Sequence, residues 1–253
     1  MTHLLKELIL ICLIFTITAC AGFQTRSAYI NIAVSEAEMI PVKNPMPVKS
    51  IEMYDKATKK RIDVDVLSLE SKDIRKRLTS TRTFISVEKR DSSGELSYIG
   101  AGGKVSKGTY KVTFDYTNYM DRNVEIDENS SAIGRVGVGL RVTATLDTMS
   151  NNVDLSGLLP IGIAAKDNKV SGQIEYYVYG MSNDKISIAA PSPKTLDLSS
   201  IQEAFEASAK TKVMFNLDET VLEPYLIGLA KIESKDAKKA GDIATKKLTQ
   251  GSD

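Results

Sequence analysis

The strongest constraint on the fold of this chain is a strict two-residue alternation that runs through residues 134–147. Apolar side chains occupy every second position of this segment: Val136, Val138, Leu140, Val142, Ala144 and Leu146. Because successive side chains of a strand point to opposite faces of a sheet, the pattern predicts one long strand with a buried apolar face. The positions between them include Arg141, Thr143 and Asp147, which are ordinary residues for a sheet surface. We therefore expect this second face to lie in water.

Further strands are predicted on both sides of this segment. Alternation and β-branched or aromatic content mark residues 83–88, 96–99, 109–116 and 169–181. The connections between these segments look like turns rather than long helical crossovers, which favours antiparallel pairing. The predicted fold class is therefore α+β. It is a mostly antiparallel β-sheet, built as a sandwich or a curved sheet, with a helix near 199–210 and a C-terminal helix.

Several later segments carry less regular patterns. The helix near 199–210 is predicted because capping-box patterns precede an apolar stripe. The patterns are Ser199-x-x-Gln202 and Ser200-x-x-Glu203. Residues 213–215 are predicted to return to strand. The apolar run 155–165, interrupted by glycine and proline, predicts a buried crossing segment. The Lys-rich tail 234–253 has alanines and aliphatic residues at helical spacing, which predicts a solvated C-terminal helix.

The domain organisation follows from these patterns. A β-rich domain is expected over residues 51–233, followed by the polar Lys-rich tail 234–253. The preceding segment, 20–50, is rich in proline, which interrupts helices and favours extended backbone. Its prolines are Pro41, Pro45 and Pro47. Two interpretations of this segment remain open: a tether, or an edge strand of the main sheet. Residues 29–34 alternate well enough to form a strand.

The extreme N-terminus indicates an exported protein. A short apolar run, 8–17, is followed by Ile17, Thr18, Ala19 and Cys20. The run is shorter than the roughly 20 residues that a membrane helix needs, and its position is typical of a cleavable signal. This segment resembles a bacterial lipoprotein signal peptide with its lipobox. A generic signal peptide cut elsewhere and an N-terminal anchor helix are the alternatives.

The resemblance has direct implications for processing and location. It implies that residues 1–19 are removed, that Cys20 is lipidated, and that residues 20–50 carry the lipid anchor and the tether. Multiple acyl chains are sufficient for stable membrane attachment. The chain is then expected in the bacterial cell envelope, held to the membrane through its lipid anchor. Ala21 follows the cysteine, which by resemblance favours the outer membrane.

The residues missing from the expected mature chain exclude several kinds of chemistry. His3 is the one histidine, and Cys12 and Cys20 are the two cysteines. A chain cut before Cys20 therefore lacks the imidazole that Ser-His-Asp and Cys-His sites require. It also lacks the ligands of Cys/His zinc sites and of haem. Carboxylate pairs, Ser-Lys pairs and calcium sites with oxygen ligands remain open. No pattern selects any of them, so no metal and no cofactor are predicted. The formal net charge of +1 gives no indication of nucleic-acid binding.

These observations favour a non-catalytic binding or scaffolding protein of the envelope, whose partner is an envelope protein or a glycan. No catalytic residues are predicted. Tyr177 and Tyr179 share the second face of the 169–181 strand, and tyrosines at this spacing stack on a sugar or a peptide in some proteins. Cross-strand packing is the structural alternative.

Two other functions are kept open. The first is a glycan or peptide hydrolase that uses carboxylates alone, with Asp115, Glu175 and Asp218 as its candidates. The second is a protein that inserts a β-hairpin into a membrane, built from residues 134–147 and 169–181. An apolar face such as that of 134–147 resembles the lipid-facing side of a barrel strand, but a buried sheet face explains it equally well.

Overall fold

A long antiparallel strand pair forms the centre of the fold. The computed structural model describes residues 39–55, 57–127, 130–188, 192–230 and 237–250. The predicted lipobox and the alternating segment 29–34 lie outside these residues. The two central strands are β7 (Gly108–Asp127) and β8 (Ser130–Thr148). They are paired along nearly their full length, from Gly108 opposite Thr148 to Asp127 opposite Ser130.

The remaining elements are shorter. The other strands are β1 (Met39–Pro47), β2 (Ser50–Asp55), β3 (Lys60–Asp65), β4 (Ser80–Arg90), β5 (Leu96–Gly100), β6 (Lys104–Val105), β9 (Val153–Asp154), β10 (Val170–Tyr179), β11 (Met181–Ser182), β12 (Lys194–Thr195), β13 (Val221–Leu222) and β14 (Tyr225–Ala230). The helices are α1 (Ser71–Arg75), α2 (Leu158–Lys166), α3 (Leu198–Asn216) and α4 (Ala237–Gln250), and a 3-10 turn covers Val66–Ser68.

Eight strands form the main sheet. Its order is β1-β14-β8-β7-β4-β5, and β10 and β12 extend it from β8. Two strands share one edge of β8 end to end, since β14 pairs with residues 134–137 and β10 with residues 139–148. All these pairings are antiparallel, and the sheet is curved and nearly closed. The predicted fold class, with its helix near 199–210 and its C-terminal helix, is confirmed.

The apolar face of β8 is buried as predicted. Leu140 and Ala144 have no exposed surface, and they belong to a core that α2 and α3 cover through Ile161 and Ile201. The other end of the same face belongs to a second cluster, in which α1 and α4 take part. The strict alternation therefore marks a strand whose apolar face is buried along its length, under helices together with shorter strands and loops.

Residues 155–165 end in a helix, α2, instead of an irregular crossing. Pro160 lies in the first turn of α2, where backbone N–H groups have no partner within the helix, so the missing N–H of proline costs no helical hydrogen bond. Gly162 faces α3, and a Cβ at this position would approach Ile201 to 3.1 Å and Leu198 to 3.2 Å. The glycine therefore permits close packing of two helices, and the proline is tolerated because it lies at the start of one of them.

Helix α3 begins earlier and ends later than predicted. Its N-cap is Asp197, which accepts a hydrogen bond from the Ser200 backbone N–H at 2.8 Å, while Ser200 Oγ accepts one from the Asp197 N–H at 3.0 Å. Neither predicted capping box is the one used. The prediction of a strand at 213–215 is wrong, because the helix continues there and buries Met214 and Phe215.

The C-terminal helix is docked instead of solvated. Ala244 and Leu248 of α4 are buried, at 0% and 1% exposure, and the helix contacts β7, β8 and β14. The Lys49 backbone N–H also donates to the Leu248 carbonyl at 3.2 Å. The many lysines of this segment favour the prediction of a solvated helix, but its narrow apolar stripe is sufficient for packing.

Strand β1 belongs to the segment that the sequence left open between a tether and an edge strand. It pairs with β14, from Met39 opposite Ala230 to Pro47 opposite Tyr225, and its register shifts between these two contacts. The described part of 20–50 therefore contributes an edge strand of the main sheet. Prolines are compatible with such a position because an edge strand needs no donor on its outer side.

Candidate functional site

The second face of β8 is buried over much of its length. Arg141 is 3% exposed and Thr143 is 7% exposed, whereas Thr145 and Asp147 further along are exposed. The expectation of a solvated face is therefore wrong for Arg141 and Thr143. The cause is the curvature of the sheet, which brings β1 and β14 over this surface. We call it the charged face, and its main residues are Phe84, Ser86, Thr113, Asp115, Arg135 and Arg141.

A buried ion pair lies at the centre of the charged face. Arg141 donates from Nε to Asp115 Oδ1 and from Nη2 to Asp115 Oδ2, both at 2.7 Å. Its Nη1 donates to the Val42 carbonyl of β1 at 2.5 Å, and its Nη2 donates to the Ile227 carbonyl of β14 at 3.1 Å. One guanidinium therefore joins β7, β1 and β14 to β8, through the planar fork that arginine provides.

The charge of Arg141 is maintained by its partner. Burial by itself lowers the pKa of Arg141, but the charge and hydrogen bonds of Asp115 raise it, and the net change is an increase. Arg141 is therefore a permanent cation in this interior. A buried pair of this kind is sensitive to the loss of either member, because the remaining charge has no compensation.

A second arginine on the same face, Arg135, is held by an ion pair and by two aromatic rings. It donates from Nε and Nη2 to the two carboxylate oxygens of Asp121, at 2.8 and 2.9 Å. Its guanidinium carbon lies 3.8 Å from the centroid of the Phe84 ring and 4.4 Å from that of Tyr119. These contacts have cation–π geometry, which adds to the ion pair in fixing the side chain.

Three tyrosines form a cleft beside the buried pair, at the point where β10 and β14 meet on the edge of β8. The ring centroids of Tyr177 and Tyr179 are 6.4 Å apart, as are those of Tyr179 and Tyr225. The open space has a volume of about 380 Å3. Gly180, with φ of +68°, turns the chain at its rim, where a Cβ would approach Val138 to 2.9 Å.

The two predicted binding tyrosines differ in their access to a ligand. Tyr177 and Tyr225 are half-buried and line the cleft, whereas Tyr179 is only 3% exposed. Its buried ring therefore supports its neighbours and offers little surface for stacking. Tyr225 was not predicted, since its short strand is interrupted by Gly228 and carries no clear alternation.

The interior environment also changes the acidity of the tyrosines. Burial raises the pKa of Tyr179 well above its usual value of 10.0, and the charge of Asp115 raises it further, while Thr117 and Arg141 oppose this increase. Although Thr117 lies close by, the Tyr179 hydroxyl makes no well-formed hydrogen bond with the described residues. Burial likewise raises the pKa of Tyr177, against the opposing charge of Arg141.

The three candidate carboxylates of a hydrolase lie in different environments. Asp115 is bound by Arg141, and Glu175 of β10 is half-buried opposite Thr143 of β8. Since Arg141 and Thr143 both belong to β8, a whole strand separates Asp115 from Glu175. Asp218 follows α3 and is fully exposed, with an ion-pair distance of 3.4 Å to Arg75.

The sequence contains a signal for the buried ion pair that the alternation pattern alone does not reveal. Asp115 and Arg141 are opposite charges on the polar faces of two predicted strands, and the structure places them directly opposite each other. Comparing the polar faces of neighbouring strands for complementary charge identifies such a pair. The segments that cover it, around Val42 and Ile227, are too distant in sequence for the same treatment.

Other features of the described residues bear on cofactors and membranes. They include no group of three or more His, Cys, Asp or Glu side chains that could hold a metal ion. No helix in this part of the chain is both long enough and apolar enough to cross a membrane. The proposed lipidation site, Cys20, lies outside the described ranges. In comparisons with known proteins, no family model, no curated protein and no solved structure matches this chain.

Proposed function

We propose that this chain is a lipid-anchored protein of the bacterial envelope that binds another envelope component without catalysing a reaction. The observation that supports the proposal best is the tyrosine cleft between β10 and β14. Its half-buried aromatic rings, Tyr177 and Tyr225, combine a broad apolar surface with a polar hydroxyl, as binding surfaces commonly do.

The chemistry of the cleft favours a neutral or positively charged partner surface. Its lining includes the exposed carboxylate Glu223 and the hydroxyl of Ser182, and no lysine or arginine is among the described lining residues. A sugar ring and a protein side chain both meet this description. The buried ring of Tyr179 lies between Tyr177 and Tyr225, and it holds the wall of the cleft in place before binding.

The state of Asp115 supports a non-catalytic role. Both of its carboxylate oxygens accept hydrogen bonds from Arg141, and the side chain is 6% exposed. A general base must reach a proton of the substrate. Asp115 would first have to give up its bonds to a buried cation, which makes it a poor candidate for that task.

The binding proposal is tested by capture of envelope components with the intact lipidated protein. We expect Tyr177→Ala to reduce capture at least about tenfold, because it removes a half-buried ring from the wall of the cleft. Tyr54→Ala is the matched control, since Tyr54 lies in β2 with 51% exposure and does not line the cleft. Equal capture by the wild type and both variants would contradict the binding role of the cleft. A bound glycan fragment and a bound envelope protein would identify the two partner classes.

The anchor proposal has its own test. Cys20→Ser should release the protein from the membrane fraction or leave an uncleaved precursor, because the thiol that carries the lipid is removed. Unchanged membrane partition with normal processing would contradict lipidation at Cys20. The residue after the cysteine, Ala21, supports the outer membrane as the proposed location, and fractionation of the two membranes checks it.

A further inference from the structure

Two buried polar atoms on the charged face have no hydrogen-bond partner among the described residues. They are the hydroxyl oxygen of Ser86 and the Nη1 nitrogen of Arg135, in side chains that are 5% and 6% exposed. Buried polar groups in folded proteins are almost always hydrogen-bonded, to protein or to ordered water. An arginine N–H is an especially unfavourable group to leave unpaired, because it carries part of a full charge.

The side chains that carry these two atoms line the same small cavity. Ser86 and Arg135 both line it, together with Thr113 and Asp115 on the same face, and the opposite wall is formed by β1 and β14. The residues of that opposite wall are Met39, Pro41, Ile227 and Gly228. The volume open to a water-sized occupant is about 20 Å3. This volume exceeds the roughly 10–15 Å3 that a single water molecule needs.

From this geometry we propose that the cavity is a binding site for one water molecule. Its oxygen accepts a hydrogen bond from Arg135 Nη1, and it exchanges a second hydrogen bond with Ser86 Oγ. A buried water typically makes two to four hydrogen bonds to groups that otherwise lack partners. The Thr113 and Asp115 side chains of the same lining supply further polar contacts.

The charges around the cavity favour water over a small anion. Arg135 already has an ion pair with Asp121, and Arg141 has one with Asp115. The Asp115 carboxylate itself lines the cavity, so an anion would meet a negative group there. Neutral water satisfies the Arg135 donor without this repulsion.

The bound water has a role in the fold. The apolar wall of the cavity belongs to β1 and β14, which have no side-chain donor or acceptor among the residues lining it. The water therefore completes the polar network beneath these strands, whereas Arg141 contacts their carbonyls directly. The covering pair therefore meets the water through apolar groups and meets Arg141 through hydrogen bonds.

A crystal structure of the mature protein at about 1.5 Å resolution, with and without a sodium bromide soak, tests the proposal directly. We expect a density peak at about 2.7–3.2 Å from both Ser86 Oγ and Arg135 Nη1, with no anomalous signal after the soak. An empty cavity would overturn the proposal. So would an anomalous bromide peak, or a side chain from outside the described residues in this position.

Substitution provides the matched comparison. Ser86→Val replaces the hydroxyl with methyl groups that fill the cavity, and we expect the peak to disappear. In solution, oxygen-17 relaxation dispersion should then count one long-lived water fewer than in the wild type. Ser97→Val, on the exposed edge strand β5, should leave this count unchanged.

A peak that persists in Ser86→Val would overturn the assignment. If that variant fails to fold, Ser86→Ala serves in its place, because it leaves the cavity open. We expect it to keep the water on Arg135 Nη1. An empty cavity in Ser86→Ala, together with a filled one in the wild type, would overturn the role of Arg135.

Discussion

Leu140 and Arg141 are neighbours in β8 and are both buried, at 0% and 3% exposure, but their surroundings differ completely. Leu140 packs among apolar side chains of the sheet and of α2 and α3. Arg141 faces the other way, into a network that depends on Asp115 and on two backbone carbonyls. Burial alone therefore says little about what holds a strand face in place.

The two faces should respond differently to damage. Apolar packing is non-directional, so the loss of one side chain removes contacts and leaves a cavity. The charged face relies on specific partners, so the loss of one partner leaves a charge in a poorly solvated interior. Substitutions on each side of β8 turn this comparison into measurable free energies of unfolding.

The largest effect is expected for Asp115→Ala. It leaves Arg141 buried and charged without its carboxylate, which should lower the free energy of unfolding by about 3–5 kcal/mol. Chemical denaturation measures the change. The control is the double variant Asp115→Leu with Arg141→Met, which replaces the pair with apolar groups and should lose less stability than Asp115→Ala. A double variant less stable than the single one would mean that the ion pair itself stabilises the fold.

Leu140→Ala comes next on the apolar face. The side chain is fully buried, so its truncation should lower the free energy of unfolding by about 3 kcal/mol, within the range for leucine in a core. Denaturation under the same conditions allows direct comparison with Asp115→Ala. A loss below about 0.5 kcal/mol would indicate that α2 and α3 do not cover this face in solution.

An intermediate effect is expected for Thr143→Ala. A solvated position would lose no more than about 0.5 kcal/mol, whereas Thr143 is only 7% exposed. Removing a buried methyl group should lower the free energy of unfolding by about 1 kcal/mol. Thr145→Ala, two residues further along the same face and exposed, is the matched control. Equal, negligible losses for the two variants would place the whole face in water.

The sequence predicts the burial of one of these two faces, the apolar one. The alternation at 134–147 predicts the buried position of Leu140, because a period of two and apolar side chains specify a covered sheet surface. Nothing in that local pattern distinguishes a polar face in water from one that a distant segment covers. The cover over Arg141 comes from around Val42 and Ile227, at opposite ends of the described chain.

The candidate site was predictable to a similar extent. Strand spacing identifies Tyr177 and Tyr179 as candidates, but it cannot show that the first ring is half-buried and the second fully buried. That difference depends on Tyr225, which β14 brings against Tyr179. For a related reason, the sequence does not predict α2 and predicts only part of α3. The close packing at Gly162 and the burial of Met214 depend on tertiary contacts, which local patterns do not show.

The smallest effect at neutral pH is expected for Tyr179→Phe. The hydroxyl is buried without a well-formed hydrogen bond, so its removal should change the free energy of unfolding by less than about 0.5 kcal/mol, or increase it slightly. Denaturation at pH 7 measures this change. A loss above about 1.5 kcal/mol would mean that the hydroxyl has a partner in solution.

The same variant should differ more from the wild type at alkaline pH. Because burial raises the pKa of Tyr179, the unfolded chain releases this proton first as the pH rises above 10.0. The folded state then loses up to about 1.4 kcal/mol per pH unit from this group until its own pKa is reached. Between pH 9 and pH 11, the free energy of unfolding of Tyr179→Phe should therefore fall less steeply than that of the wild type. The difference in slope corresponds to the titration of about one group. Parallel slopes for the two proteins would show that Tyr179 ionises in the folded state with its ordinary pKa.

The pairing of β1 with β14 has a consequence for the order in which the chain folds. Met39 of β1 lies opposite Ala230 of β14, so the first described strand cannot pair until one of the last strands has formed. Contacts between such distant residues form slowly, because a long loop must close first. During synthesis from the N-terminus, β1 is therefore an unpaired strand until β14 has been made. Its prolines remove backbone donors, which protects the waiting strand from pairing with other chains.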